Sequence, residues 1–506
     1  MVERCFRDIS ENSLRRGVFT SVPELVAAID GYIAHHNINP TPFIWTMSAR
    51  DILQKVIRAD GRLPTKQNAL HQGWPAPMRS DDLVHFCPPG RLIIGNGSRH
   101  QLPALLHRLG YRKGLIVTDA FFVSATPWVT EYVEAARALG LATHVYSGGM
   151  PDPTTTLCDE ATAVLRGELL DAMPDHVIAL GGGSNIDLAK ALCLTLPEGR
   201  PVLNFAGDIS WARPLPLIAM PTTAGTGSEA TPGAILLDPN NSTKVAVSDN
   251  SLRPAIALID PEFTFTCPPR VTADAGIDAF THAIESYLTI DSANYDRGGH
   301  TDPGYSGRSS LTMMFAREAM RLCIAWLDRT YTQGDDIEAR TGMAYASVYA
   351  ALSYGSAGLN AVHGIAYAVA GQTHKSHGST NAVILPYVLD SLREVRRPEM
   401  LEIARLFGVP TGDQDRAVRE MPRLVRDLVD RLGIPTNLRA FGIEEADLER
   451  LSEDAIGVAR LAKALPLPDV KSAYRSIIRN AWQGRLSADT SMQARPESGV
   501  YDNASS

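Results

Sequence analysis

Val177-Ile-Ala-Leu-Gly181-Gly-Gly-Ser184-Asn-Ile-Asp187-Leu-Ala-Lys190 runs from an unbroken apolar stretch, through three glycines, into a helix-like segment. The apolar stretch has the length of a buried strand, and the glycines end it. Glycines between a strand and a helix let backbone N–H groups approach an anion at the helix N-terminus. A tight turn without a ligand would use the same residues. The position of the loop, at the C-terminal end of a strand, is where parallel sheets bind ligands. The spacing is not G-x-G-x-x-G, so the ordinary dinucleotide fingerprint does not apply. A second loop, Pro221-Thr-Thr-Ala-Gly-Thr-Gly-Ser228-Glu229, follows the apolar run Leu217-Ile-Ala-Met220. Its small hydroxyl residues and glycines suit hydrogen bonds to phosphate or ribose. Two such loops on one sheet favour a dinucleotide over a simple turn.

Working outward, the same texture repeats. Leu92-Ile-Ile-Gly95, Gly114-Leu-Ile-Val-Thr-Asp119, Thr143-His-Val-Tyr146 and residues 255–259 read as strands, with helix-like patterns over 101–109 and 157–170. Alternating strands and helices predict a doubly wound, mostly parallel sheet. Beyond about residue 266 strand signals fade, and helical patterns dominate through Trp482. The predicted fold class is therefore α/β followed by all-α. Residues 83–265 form the dinucleotide-binding domain and 266–485 a helical domain, with a polar, disordered tail over 486–506. Residues 1–75 read as short helices broken by the extended Asn39-Pro-Thr-Pro-Phe-Ile-Trp45, and 76–82 as a linker.

Bulk properties narrow the function. The length suits about three domains. No apolar stretch approaches the roughly 18 residues needed to span a bilayer. The N-terminus lacks a signal-peptide core. Cys5, Cys87, Cys158, Cys193, Cys267 and Cys323 show no C-x-x-C spacing, which points to a reducing cytoplasm rather than a disulfide framework. The net charge of −8 argues against nucleic acid as the main partner. The charge is uneven: residues 1–80 hold ten Lys/Arg against seven Asp/Glu, so this segment is near +3 and the rest near −11.

The helical half carries the second chemical signal. In Ala275-Gly-Ile-Asp278-Ala-Phe-Thr-His282-Ala-Ile-Glu285-Ser-Tyr287, Asp278 and His282 are four apart and share a helical face. Ile277, Phe280 and Ile284 are interleaved with them, which predicts a helix packed on more than one side. Burying a carboxylate and an imidazole needs a reason, and both a divalent metal and a simple Asp–His hydrogen bond supply one. Downstream, Ala361-Val-His363-Gly-Ile-Ala-Tyr367 puts a phenol one turn from a histidine, and His374-Lys-Ser-His377 follows. One Asp and two or three His from three helical segments could meet as a four-ligand site for Fe2+ or Zn2+. Asp119, at the end of an apolar strand, suits either a ribose 2′-hydroxyl, repelling a 2′-phosphate, or the N-cap of the next helix.

Taken together, residues 83–485 resemble the iron-containing alcohol dehydrogenase family. The resemblance rests on Gly181–Lys190, Pro221–Glu229, Lys244 before Ser248, Asp260-Pro-Glu262, Asp278 through Glu285, and His363 with His377-Gly378. It implies metal binding by Asp278, His282, His363 and His377, and sets His374 aside. It also implies coenzyme contacts at Gly182, Gly183, Ser184, Thr222, Thr226 and Lys244, with Asp187 and Thr223 from the same loops and Asp119 favouring NAD over NADP. The implied reaction interconverts a small alcohol and its aldehyde or ketone, with iron as the metal and zinc as the alternative, in a homo-oligomer. Tyr367 stands where many members carry a second histidine near nicotinamide and substrate, which makes it the candidate catalytic residue. A phenol can donate a hydrogen bond but is a poor base near neutral pH. Residues 289–312 are longer than the usual link and are expected to cover the cleft. A similar lengthening, with Tyr at this position, occurs in the related hydroxyacid–oxoacid transhydrogenases, which supply an alternative reading.

Residues 1–75 resemble the C-terminal end of IS630-type transposases through Val2-Glu-Arg-Cys-Phe6, Leu14-Arg-Arg-Gly-Val-Phe19, Tyr32-Ile-Ala-His-His-Asn37 and Ala49-Arg-Asp-Ile-Leu-Gln-Lys-Val56. That family's metal site takes two aspartates and a glutamate. Only Glu3 matches, and one carboxylate does not make a two-metal site. The implied reading is a remnant. Its competitor is a DNA-binding fragment fused to an inactive dehydrogenase.

Overall fold

Uninterrupted aliphatic runs become strands because a strand covered on both faces buries every side chain. A computed structural model describes residues 83–489, apart from 170, 171, 208, 241 and 242. The transposase-like segment 1–75, the linker 76–82 and the tail beyond 489 lie outside the described residues. The strands are β1 (Leu92–Ile94), β2 (Lys113–Val117), β3 (Ala142–Tyr146), β4 (His176–Gly181), β5 (Leu217–Pro221), β6 (Gly233–Asp238), β7 (Thr243–Ser248) and β8 (Ile256–Ile259). Six of them form one sheet in the order β1-β8-β5-β4-β2-β3, and every neighbouring pair is parallel. β4 and β5 are buried at each residue.

Alternate residues serve opposite faces. Leu115, Val117, Val177, Ala179, Leu217 and Ala219 pack with α4 (Thr155–Glu168) and α5 (Gly183–Glu198). Ile116, Ile178, Leu180, Ile218 and Met220 pack with α1 (Leu102–Leu109) and α3 (Trp128–Ala138), while α2 (Ala120–Ala125) follows β2. The sheet is doubly wound, in agreement with the sequence reading. The antiparallel hairpin β6–β7 was not anticipated.

The second half is helical: α6 (Pro269–Leu288), α7 (Ser310–Thr332), α8 (Ile337–Ala357), α9 (Ala361–Thr373), α10 (His377–Leu392), α11 (Arg397–Leu406), α12 (Gln414–Arg431), α13 (Leu448–Gly457), α14 (Ala459–Ala462) and α15 (Val470–Gln483). α6 is central, and each residue from Gly276 to Leu288 is buried. Two boundaries differ from expectation. Leu486 is buried and the Arg426 guanidinium donates to both carboxylate oxygens of Asp489 at 2.8 and 2.9 Å. The chain is therefore packed through residue 489 rather than loose from 486. At the other end, Phe86 stacks on Phe315 at 5.7 Å and the Cys87 N–H donates to Ser356 Oγ, so the chain enters against the helical half before it reaches the sheet. No described helix is long and apolar enough to cross a membrane.

Candidate active site

The loop after β4 needs glycine for a steric reason. Gly181 has φ +149°, and a side chain there would collide with Asn185. Gly182 is the N-cap of α5, so the first N–H groups of that helix open toward the cleft. A Cβ on Gly183 would come within 2.7 Å of Thr226, which means the two loops touch here. Two polar residues of the motif brace this contact from inside. Asp187 accepts from Ser228 Oγ at 2.5 Å and from Ile235 N at 2.9 Å. Buried Lys190 donates to Ser228 Oγ, Thr231 O and Gly233 O at 2.9, 2.9 and 2.7 Å. Burial lowers its pKa to about 8. The motif's acid and lysine thus hold the second loop in place.

Asp119 is an N-cap, the alternative its sequence position left open. Its Oδ1 accepts from Phe121 N and Phe122 N at 3.0 and 3.3 Å, and Oδ2 accepts from Asn185 Nδ2 at 2.9 Å.

In α6, Asp278, His282 and Glu285 share one face. α9 starts with Asn360 as N-cap and brings His363, while α10 begins at His377. The side chain of Ser379 links α10 to α6 through Asp274 at 2.5 Å, and Gly378 lies so close to the Asp274 carbonyl that no Cβ would fit. These contacts gather four side chains. One ligand atom each from Asp278, His282 and His363 lies within 4.8 Å of the others. His282 Nε2 is 3.1 Å from His363 Nε2, and His377 Nε2 is 3.8 Å from Asp278 Oδ1. Asn381 Nδ2 donates to Asp278 Oδ1 at 2.8 Å. His374, in contrast, is an exposed left-handed C-cap of α9.

Three imidazole nitrogens and a carboxylate oxygen on one point suit a divalent cation. The tautomer of His363 fits this too. Its Nδ1 faces Glu285 Oε2, so a neutral ring donating there keeps the Nε2 lone pair toward the cluster. Glu285 Oε1 accepts from Asn360 N and Val362 N at 3.2 and 2.8 Å. Burial pushes Glu285 up to about 8 against the pull of these N–H groups. Burial also holds His282 and His363 down near 4 and His377 near 3, with Asp278 pulling each the other way. Asp278 is lowered: burial raises it, and the three histidines together outweigh that.

The four residues face a cleft of about 180 Å³ that also contains Gly183, Ser184, Asp187, Thr226, Lys244 and Tyr367 in its walls. Lys244 Nζ is 3.3 Å from Asp152 Oδ1 and 5.8 Å from the centre of the Tyr367 ring. Tyr367 stacks on His377 at 5.8 Å, and burial pushes its phenol up to about 12. Four of the sequence-predicted residues are not in this wall: Asp119, Gly182, Thr222 and Thr223. Thr222 is buried, its N–H donating to Gly181 O at 3.0 Å, and Thr223 lies beside Gly182. The wall also includes residues that sequence reasoning missed. Tyr354 stacks on His282 at 4.1 Å, its hydroxyl donating to Thr226 O. Tyr305 comes from the long segment after α6, and Arg460 from α14. None of the three sits in a recognisable motif. Sequence reasoning also gave Glu285 no role, although its place one turn beyond His282 on the same face of α6 is a signal that could have found it.

Two family models match the chain: "Iron-containing alcohol dehydrogenase" over residues 89–261 and "Fe-containing alcohol dehydrogenase family, C-terminal" over 304–482. Long-chain-alcohol dehydrogenase 1 of Geobacillus thermodenitrificans is 35% identical over 403 residues, 78% of this chain and 95% of that protein. The NAD-dependent methanol dehydrogenase of Bacillus methanolicus is 33% identical over 380 residues, 74% of this chain and 93% of that protein. Among solved structures, the alcohol dehydrogenase from Oenococcus oeni superposes with a TM-score of 0.71 at 26% identity, covering 79% of this chain and 100% of that one. With matched models on both halves and a metal-type cluster on the helical half, the chain belongs to the iron-containing alcohol dehydrogenase family.

Proposed function

We propose that this oxidoreductase interconverts an alcohol and its aldehyde or ketone with NAD(H), NADP(H) being the less favoured coenzyme, and with a divalent cation held by Asp278, His282, His363 and His377. One observation carries the reading: these four residues and the Gly183–Ser184 loop open into the same cleft. Iron is the favoured metal, and zinc fits the same donor set. When bound, the cation supplies Lewis acidity at the substrate oxygen. The protein supplies the rest. Backbone N–H groups at the start of α5 receive the coenzyme pyrophosphate. Lys244 offers its ammonium to the ribose or phosphate oxygens. Coenzyme held by the Gly183–Ser184 loop and Lys244 would supply direct hydride transfer between its nicotinamide ring and the substrate carbon.

Tyr367 keeps its proton throughout the neutral range, because its phenol titrates near 12. It therefore acts at the substrate oxygen as a hydrogen-bond donor, not as a base. Tyr305 narrows the cleft and limits the water that reaches it. The Asp119 carboxylate follows β2, where it would disfavour a 2′-phosphate and so supports NAD. The test is metal analysis of the purified protein together with NADH and NADPH oxidation by straight-chain aldehydes. About one metal per chain and chelator-sensitive NADH oxidation are expected. A fully metal-loaded protein that oxidises neither coenzyme with any aldehyde or ketone would sink the reading.

A further inference from the structure

Among the charged side chains in the cleft wall, Arg460 is the one without an assigned task. Lys244 has Asp152, Asp187 braces the second loop and Asp278 belongs to the histidine cluster. The Arg460 guanidinium lies 5.1 Å from the centre of the Tyr305 ring and beside the Tyr367 side chain. The groups set against its charge are tyrosines: Tyr305, Tyr367 and Tyr295. No carboxylate of the described residues comes within ion-pair distance of it. Ring faces and phenols support a cation but do not neutralise it. A half-buried guanidinium in a concave site with only phenols set against it leaves a positive charge for an anion to meet, and its planar fork of donors matches a carboxylate.

The frame around it is built, not incidental. Tyr305 is clamped from both sides. The Arg253 guanidinium donates to Gly304 O at 3.2 Å, the Ser306 N–H donates to Ser356 O at 2.8 Å and the Gly307 N–H donates to Ala357 O at 3.1 Å. Gly307 takes φ +80° to make that turn. The long segment after α6 thus fixes an aromatic ring over the arginine. Arg460 lies beside Tyr367, which stacks on His377, and its charge acts on His363, so it reaches the metal-facing side of the cleft.

We infer that Arg460 anchors a carboxylate at the far end of the substrate, and that the physiological pair is a short hydroxy acid and its oxo acid rather than a plain alcohol and aldehyde. This rests on the alcohol–carbonyl oxidoreductase reading. The reaction is unchanged: hydride leaves or joins the carbinol carbon, and the carboxylate takes no part in bond making.

The test compares 4-oxobutanoate with butanal, both with NADH, in wild type, Arg460→Gln and Arg460→Lys. The wild type is expected to favour 4-oxobutanoate in kcat/KM. The ratio of the two values should fall about 100-fold in Arg460→Gln, the range for losing a charge-assisted pair, and fall less in Arg460→Lys, which keeps the charge without the planar fork. Butanoate binding by calorimetry gives a readout that needs no turnover, with binding expected to wild type and lost in Arg460→Gln. No preference for the acid in wild type, or an equal loss on both aldehydes, overturns the inference. A loss that falls instead on NADH binding overturns it too, since it assigns Arg460 to a coenzyme phosphate. Butanoate binding that depends on Arg460 in a protein that reduces no aldehyde would uphold the anion site and fault the dehydrogenase reading. Butanal reduction without Arg460-dependent butanoate binding would do the reverse.

Discussion

His363, on α9, is held against α6 by both ring nitrogens: Nδ1 meets Glu285 Oε2, and Nε2 points to His282 Nε2, 3.1 Å away. The first contact decides what the second can do. In its ionised form Glu285 keeps the ring proton on Nδ1 and leaves Nε2 as a lone-pair donor; burial, which raises Glu285, opposes that form, and a cation at Nε2 would favour it. Glu285→Gln keeps the shape and an oxygen for Asn360 N and Val362 N, but it can turn an amide N–H toward Nδ1. The proton then moves to Nε2 and blocks it. Metal affinity, measured by chelator competition, is expected to fall about 10–100-fold, with little change in melting temperature of the metal-free protein. Unchanged affinity would show that Glu285 only caps α9.

Asp278 supplies the cluster's carboxylate and lies 3.7 Å from both His282 and His363. Asp278→Ala removes the negative charge from three imidazoles. Metal content and coenzyme oxidation should be lost together, with affinity down by more than about 100-fold, beyond the effect of losing an outer-shell partner. Elemental analysis beside the rate assay checks it. A variant that stays active without metal would refute the assigned role.

Gly378 makes a prediction about backbone rather than charge. Its neighbour His377 reaches the cluster only because α10 starts hard against α6, where a Cβ would strike the Asp274 carbonyl. Gly378→Ala must push the two helices apart. It should cost about 1–3 kcal/mol of stability, as overpacking does, and weaken metal binding because His377 moves with the helix. Denaturant melts and chelator titration measure the two effects. Wild-type values for both would mean the helices are free to shift.

Much of this was readable from one chain because the deciding features are local. Val177–Leu180 is buried on both faces, so its apolar run is unbroken, and Gly181 cannot be replaced without striking Asn185. The i, i+4 pair Asp278/His282 announces a shared helical face. The hairpin β6–β7 is less legible, since its first strand alternates between buried and half-buried positions and its apolar residues look like loop filler. Asp187 and Lys190 belong to a ligand-type motif, but the fold turns them inward as braces. Arg460, Tyr305 and Tyr354 are illegible for another reason: each arrives from a separate segment, and only tertiary packing brings them to one wall.

The buried histidines fix a pH dependence. His282 titrates near 4 in the folded chain, depressed mainly by burial, against about 6.5 when unfolded. Between those values the unfolded chain holds more protons, so stability falls as pH falls. The contribution is whole above about pH 6.5 and is lost progressively on approach to 4. Glu285, raised to about 8, acts in the opposite sense in any background that keeps it. Comparing metal-free wild type with His282→Gln isolates the histidine. The variant's melting temperature should decline less steeply from pH 6.5 to 4.5, and parallel curves would contradict the depressed value.

Asp119 separates coenzyme choice from folding. Its carboxylate caps α2 and holds Asn185, so alanine would confuse lost charge with a lost cap. Asparagine keeps one carbonyl oxygen for the cap and is neutral, giving up only the acceptor for Asn185 Nδ2. A charge pair near a protein surface is worth on the order of 1 kcal/mol or more, which corresponds to roughly a fivefold to tenfold change in binding. Asp119→Asn should therefore raise kcat/KM with NADPH by about that factor relative to NADH, while the melting temperature stays near wild type. If the NADPH to NADH ratio does not move in a stably folded variant, the carboxylate does not face the ribose, and its work is confined to the helix cap and the Asn185 contact.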